Sequence, residues 1–292
     1  MLIVSLTSYP RRIQFVSQAV CSILRNTFKP DWIVLWLARE EFPNKEKDLP
    51  PSLLALREQG LAIMWCSNIL SYKKLIPSLK FFTDDNIFIT IDDDTIYPKD
   101  FIGLLYQSYK KMPNKIHTFR GRRLRINNGE FTDYEDTEKL YNPRCKLKPS
   151  YNHLFTGVGG VLYPPKSLLN DVLDEKIFMR EMPSCDDIWF WAMCVLNKKK
   201  INVVPYGKSY KPNKFSLTKL FHSKTTNTNS PGFREEFKTI DGTSESSLYK
   251  VNIYGGLNDS ALSNILKLYP EILDSFRDEV FLMKPMGTNA SL

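Results

Sequence analysis

The chain has 292 residues, 42% hydrophobic and 25% charged, proportions that give a folded globular protein with its own core and exclude wholesale disorder, collagen-like repetition and a mini-protein. Forty basic against 32 acidic residues give a net charge of +8, spread unevenly: residues 1–225 hold 34 basic and 23 acidic side chains, residues 226–292 hold 6 and 9. A basic body suits a phosphate-bearing ligand, an anionic membrane surface or nucleic acid, and the sign alone does not choose among them.

Short apolar runs rich in Ile, Val, Phe and Trp alternate with segments of helical period, which predicts an α/β sheet with crossover helices. Leu2 to Leu6 reads as a strand; after Ser8-Tyr9-Pro10, the spacing of Ile13, Val16, Ala19, Val20 and Ile23 predicts a helix. Ile33 to Leu37 is the next strand, Pro50-Pro51 opens a helix that Gly60 ends, and Leu61 to Trp65 is the third strand. A helix over about 74–82 leads to a fourth strand, Asn86 to Ile91, which runs into Asp92-Asp93-Asp94. Next come a helix over 99–111, a strand over 116–120 and a hairpin at Asn127-Asn128-Gly129, where the sheet is expected to become mixed. Helices are predicted from Ser167, over 186–197, over 258–268 and over 270–281, with a short strand at Val203-Val204 and a Lys/Ser/Thr/Asn-rich loop over 206–250.

No apolar run approaches the length needed to span a membrane, and Trp32 to Ala38 is only a strand's length. Met1 leads into Leu2-Ile3-Val4 without a basic stretch, so no secretory signal is expected and the protein is read as cytoplasmic. Cys21, Cys66, Cys145, Cys185 and Cys194 form an odd set without a C-x-x-C pair, which argues against a disulfide framework and a zinc site.

The sharpest chemical signal is Ile87-Phe88-Ile89-Thr90-Ile91-Asp92-Asp93-Asp94-Thr95-Ile96-Tyr97-Pro98. Three adjacent carboxylates closing a buried strand repel one another unless a cation joins them, and hard oxygen ligands favour Mg²⁺ or Mn²⁺ shared with a diphosphate. An acidic strand-to-turn junction without a metal is the plainer alternative. A second signal is Ser184-Cys185-Asp186-Asp187-Ile188-Trp189-Phe190-Trp191-Ala192, where two acids open an apolar helix. The helix dipole stabilises them there, and a carboxylate fixed on a rigid helix end can also take a proton from an attacking hydroxyl.

With Ser71-Tyr72-Lys73-Lys74-Leu75-Ile76-Pro77 ahead of the aspartate block, the sequence resembles bacterial GT-A-type glycosyltransferases with an Asp-x-Asp motif, of the kind that build capsule or lipopolysaccharide. The resemblance covers about residues 1–200 by order of motifs. It implies a GT-A-like, Rossmann-type, mainly parallel mixed sheet flanked by helices, divided as a catalytic domain over 1–225 and a loop and helical extension over 226–292. It also implies a nucleotide-sugar donor, a UDP-sugar by expectation, with Mn²⁺ or Mg²⁺, and a saccharide or lipid-linked saccharide acceptor. Asp92 and Asp94 become the expected metal ligands, Asp94 foremost, with Asp92 and Asp93 beside the donor and a late histidine, His222, completing the shell. Thr7, Ser8, Tyr9 and Arg11 are expected at the nucleotide, Lys73 and Lys74 near its phosphates, and Asp187 or else Asp186 at the acceptor. Peripheral contact with an anionic inner-membrane face fits the basic body; nucleic acid is not an expected partner.

Phe155-Thr156-Gly157-Val158-Gly159-Gly160-Val161-Leu162-Tyr163 lacks dinucleotide-loop spacing, and its glycines read as places of close backbone approach, or as a plain turn. Two rival functions remain. A strand followed by Asp92-x-Asp94 also begins the nucleophile motif of haloacid-dehalogenase-like phosphatases, although Ile96 stands where that motif has Thr or Val. A basic polysaccharide- or nucleic-acid-binding module would instead use the 13% aromatic content for stacking.

Overall fold

The computed structural model describes residues 1–141, 147–206, 237–240 and 255–280. Its strands are β1 Leu2–Thr7, β2 Trp32–Ala38, β3 Leu61–Cys66, β4 Ile87–Thr90, β5 Thr95–Ile96, β6 Ile116–Thr118, β7 Arg120–Arg123, β8 Ile126–Asn127, β9 Glu130–Phe131, β10 Glu138–Tyr141, β11 His153–Phe155, β12 Val161–Tyr163, β13 Ile201–Val203 and β14 Lys238–Thr239. The α-helices are α1 Val16–Leu24, α2 Pro51–Leu54, α3 Ile76–Phe82, α4 Phe101–Lys111, α5 Glu175–Glu181, α6 Asp186–Leu196, α7 Leu257–Leu268 and α8 Ile272–Val280.

Seven strands form one sheet in the order β13-β6-β12-β4-β1-β2-β3, parallel throughout except for β12, which runs antiparallel between β4 and β6. The sheet is therefore mixed and mainly parallel, with helices on its faces. Continuous apolar strands such as β2 are buried on both faces, as crossover helices require. The chain winds outward from β1 through β2 to β3, then crosses back to lay β4 on the other side of β1. The strand order reverses between β1 and β4, and the crevice at their carboxyl ends is where open α/β sheets receive ligands. Ser5 pairs with Thr90 across this seam, so the Ser8 loop and the aspartates leave the sheet together.

Several expectations shift at element ends. The helix expected over 74–82 starts at Ile76, with Pro77 in its first turn, and Leu70–Lys74 form a 3-10 turn. The strand expected over 116–120 divides at Phe119, because β6 joins the main sheet and β7 pairs with β10 and β11. From Ser167 the chain forms a 3-10 turn at Asn170–Leu173, then α5, whose start is capped by Asp174 accepting from the Ile177 N–H at 3.1 Å. The hairpin falls as expected, between β8 and β9, with Asn128 and Gly129 both at positive φ (51° and 85°).

The last helices belong to the main core. α6 buries nearly its whole surface, because the sheet covers one side while Ala261, Leu262 and Ile265 of α7 and Ile272 and Phe276 of α8 join the same cluster on the other. The Trp191 ring meets Phe276 at 6.1 Å and Trp189 meets Tyr269 at 6.2 Å. Among the described residues, no helix is long and apolar enough to cross a membrane.

Candidate active site

Beyond β4 the three aspartates alternate in direction. Asp93 turns inward and is 6% exposed, accepting from the Ser8 hydroxyl and, at 2.9 Å, from a guanidinium nitrogen of Arg12. The same nitrogen reaches Asp94 Oδ2 at 3.0 Å, and the Thr95 hydroxyl donates to Asp94 Oδ1 at 3.2 Å. Burial raises the Asp93 carboxyl from its ordinary value against the pull of Arg12. Burial and then the neighbouring Asp92 push Asp94 up to about 6, again against Arg12. The Asp92 N–H donates to the Tyr97 hydroxyl oxygen at 2.9 Å, which fixes the turn from below.

Asp92 points to Lys74. The Lys74 ammonium stands 3.0 Å from Asp92 Oδ1, 2.9 Å from Asp186 Oδ2 and 4.0 Å from Asp187 Oδ1, so one cation joins the strand-end acids to the pair that opens α6. Burial alone would favour a neutral amine; Asp186, Asp92 and Asp187 outweigh it and raise Lys74 well above the ordinary lysine value. Its 3-10 turn is anchored by the buried Tyr72, whose hydroxyl donates to the Met182 carbonyl at 2.7 Å, and by Lys73, which pairs with Glu41 and donates to Asn68 Oδ1 at 3.4 Å.

The two helix acids differ. Asp186 has 8% of its side chain exposed, whereas Asp187 has 33% open to the crevice. The Gly157 N–H donates to Asp187 Oδ2 at 2.8 Å, and Oδ1 stands 4.0 Å from the Lys74 ammonium. Burial pushes Asp187 up to about 7 against the pull of Lys74, with Asp186 and Asp92 adding to the rise. Gly157 is glycine for reasons of space: a Cβ there would lie 2.8 Å from Lys74 Nζ, 2.9 Å from Asp92 Oδ1 and 3.1 Å from Asp187 Oδ1. The close backbone approach expected of this glycine run is thus found at the acid cluster itself.

Of the residues singled out in the sequence, Ser8, Asp92, Asp93, Asp94, Lys74, Asp186 and Asp187 converge on this crevice. Thr7 donates to the Trp36 carbonyl at 2.8 Å, Tyr9 is half-buried and Arg11 is exposed at the loop. Lys73 is turned towards Glu41, away from the aspartates, and His222 lies outside the described residues. Sequence reasoning missed Arg12, which makes the contacts imagined for an arginine at this loop, but with the aspartates. It also missed Tyr97 as a partner of the turn. Nothing local separates Arg11 from Arg12; the turn Tyr9–Phe15, with Arg12 and Ile13 N–H groups returning to the Tyr9 carbonyl, buries the second and exposes the first. Of the basic run beyond β6, Arg122 is buried and donates to the Tyr134 carbonyl at 2.9 Å, and Arg123 pairs with Glu138 at 3.0 Å, which are structural contacts. His117 is also internal, hydrogen-bonded to the Ser108 hydroxyl at 2.9 Å and held at about 4 by burial.

No family model matches the sequence, and no curated protein does. Among solved structures, the chain is similar to S. aureus TarS 1–349 over 69% of its own length and 56% of that chain, at 12% identity and a TM-score of 0.44. It is similar to mannosyltransferase PcManGT from Pyrobaculum calidifontis, solved with GDP-Man and Mn²⁺, over 70% of its length and 54% of that chain, at 10% identity and a TM-score of 0.46. The inositol-1-phosphate CTP transferase from T. maritima aligns over 70% of this chain and 84% of that one, at 11% identity and a TM-score of 0.38. The chain spans about half the length of the first two.

Proposed function

We propose that this protein is a divalent-cation-assisted glycosyltransferase of GT-A type, moving a sugar, a hexosyl or hexosaminyl group, from a nucleotide-sugar to a saccharide acceptor in surface-polysaccharide synthesis. The observation that carries the proposal is the single ammonium of Lys74 tying Asp92, at the β4 end of the ligand crevice, to Asp186 and Asp187, so that a cation-and-diphosphate side and a base side face one space.

The residues fit a divalent ion. Among the described residues, Asp92, Asp93, Asp94, Asp186 and Asp187 share two partner cations, Arg12 and Lys74, and the hard carboxylate donors suit Mg²⁺ or Mn²⁺. Asp92 and Asp94, both partly open to solvent, would hold it. Two carboxylates and phosphate oxygens of the donor would make up its shell. When bound, such an ion neutralises charge that grows on the departing diphosphate.

The protein's own groups do the rest. Arg12 holds Asp93 and Asp94 in place. Lys74 holds Asp92 in place at the crevice floor. Asp187, oriented by the Gly157 N–H and with a carboxyl titrating at about 7, accepts the proton of the attacking acceptor hydroxyl. Asp186 keeps Lys74 in register beneath it.

The test is a thermal-shift panel of nucleotides and nucleotide-sugars with and without Mn²⁺, since a ligand of the native state raises its melting point. A shift with UDP species that needs Mn²⁺ is expected. Hydrolysis of generic phosphate esters would favour the phosphatase, and steeply salt-dependent polysaccharide or nucleic-acid binding without a divalent requirement would favour a binding module; either outcome refutes the transferase.

A further inference from the structure

We propose that Phe237 is a positioning residue for the aspartate turn, and that the strap Phe237–Ile240 holds the main chain of both outer aspartates in the arrangement that receives a divalent cation and a diphosphate; the functional half of this statement rests on the transferase reading. The strap contributes nothing to the seven-stranded sheet. Instead β14 pairs antiparallel with β5, the two residues that directly follow the aspartates, in the register Lys238 to Ile96 and Thr239 to Thr95. The Ile240 N–H donates to the Asp94 carbonyl at 2.8 Å.

Lys238 and Thr239 are exposed, while Phe237 and Ile240 on either side are 5% and 3% exposed, so the strap is anchored at both ends by apolar side chains. Phe237 enters an aromatic cage, with ring centroids 5.8 Å from Tyr97, 6.0 Å from Phe101, 5.8 Å from Phe119 and 5.6 Å from Tyr206. Tyr97 is the residue whose hydroxyl oxygen accepts the Asp92 N–H. The strap therefore reaches both candidate metal-holding residues, Asp94 directly through Ile240 and Asp92 through the Tyr97 ring that Phe237 packs against. Asp93 is held by Ser8 and Arg12, and the same Arg12 nitrogen also reaches Asp94. Arg12 and Lys74 offset the repulsion among the three adjacent carboxylates, and the strap adds a hold on the backbone that bears them.

The experiment compares wild type, Phe237→Ala and Phe237→Leu in the full-length chain by amide hydrogen exchange and by Mn²⁺ affinity in the presence of UDP, read by electron paramagnetic resonance. In Phe237→Ala, exchange over residues 91–97 is expected to quicken and Mn²⁺ affinity to weaken, each roughly tenfold, with β1 and β2 protection unchanged and Phe237→Leu restoring most of both. Wild-type exchange over 91–97, or wild-type Mn²⁺ affinity in a folded Phe237→Ala protein, overturns the proposal. Should Phe237→Ala fail to fold, Ile240→Pro, which removes the N–H that Asp94 accepts, carries the same comparison. If the wild type binds no Mn²⁺ with UDP, the transferase reading fails, and the exchange measurement still decides whether the strap holds the turn.

Discussion

Replacing Lys74 with Met removes the cation at the centre of the acid cluster while keeping an unbranched side chain of similar length. In the wild type the ammonium has carboxylate oxygens at 2.9, 3.0 and 4.0 Å. A contact of this length is worth about 5 kcal/mol at an effective dielectric of about 20, and withdrawing the ammonium from water returns several kcal/mol of that. What remains is the cost of stranding Asp92, Asp186 and Asp187 together without a partner, for which breaking a buried ion pair gives about 3–5 kcal/mol. Urea unfolding near neutral pH should therefore show Lys74→Met destabilised by about that amount. The loss should shrink near pH 5, because the Asp187 carboxyl, which titrates at about 7, is then protonated and no longer needs the ammonium. Transfer activity should fall with it. A variant within about 1 kcal/mol of wild type, or a loss that does not depend on pH, would mean that Lys74 is not the cation holding the two acid groups together.

The remaining predictions concern the same crevice and its supports. Asp187 has a folded-state value of about 7, above the ordinary 3.8, so between those values the native state holds a proton that the unfolded chain has lost, and stability falls as pH rises through that window. Asp187→Asn should flatten this part of the stability–pH curve and abolish transfer, whereas wild-type activity should rise with pH through about 7; an unchanged curve in the variant would refute the assignment. Gly157→Ala places a methyl group within 3.1 Å of Lys74, Asp92 and Asp187 and should cost about 1–3 kcal/mol by urea unfolding and most of the activity, and a neutral result would mean that the cluster yields freely. Removing residues 255–292 strips α7 and α8 from α6 and exposes Trp189 and Trp191, both fully buried in the intact chain. At about 1.5–3 kcal/mol for each large apolar side chain uncovered, the loss rivals the whole stability of a domain, so circular dichroism should show no cooperative melt; a soluble fragment that melts cooperatively would show that the first part of the chain folds alone.

Much of this protein is legible in one dimension. The alternation of apolar strands and amphipathic helices sets the winding β1-α1-β2-α2-β3-α3-β4, because a strand buried on both faces must be a continuous apolar run and a crossover helix must show one apolar stripe. The aspartates sit where the fourth strand ends and the acid pair opens α6, since both positions are marked by local pattern: an apolar run broken by charge, and carboxylates at a helix start. Tertiary structure alone decided which neighbour in each charged doublet faces the crevice. Arg12 and not Arg11 meets the aspartates, and Lys74 and not Lys73 bridges the acids, whereas the outer pair Asp92 and Asp94 is already singled out by the Asp-x-Asp resemblance. Adjacent residues have the same composition around them but point in different directions, and the direction that is buried depends on which distant strand or helix lies opposite. Residues 74, 92, 157 and 187 become neighbours only because the chain crosses back from β3 to β4 and then brings the Gly157 turn and the start of α6 to the same edge of the sheet, a convergence for which no short-range spacing in the sequence carries a sign.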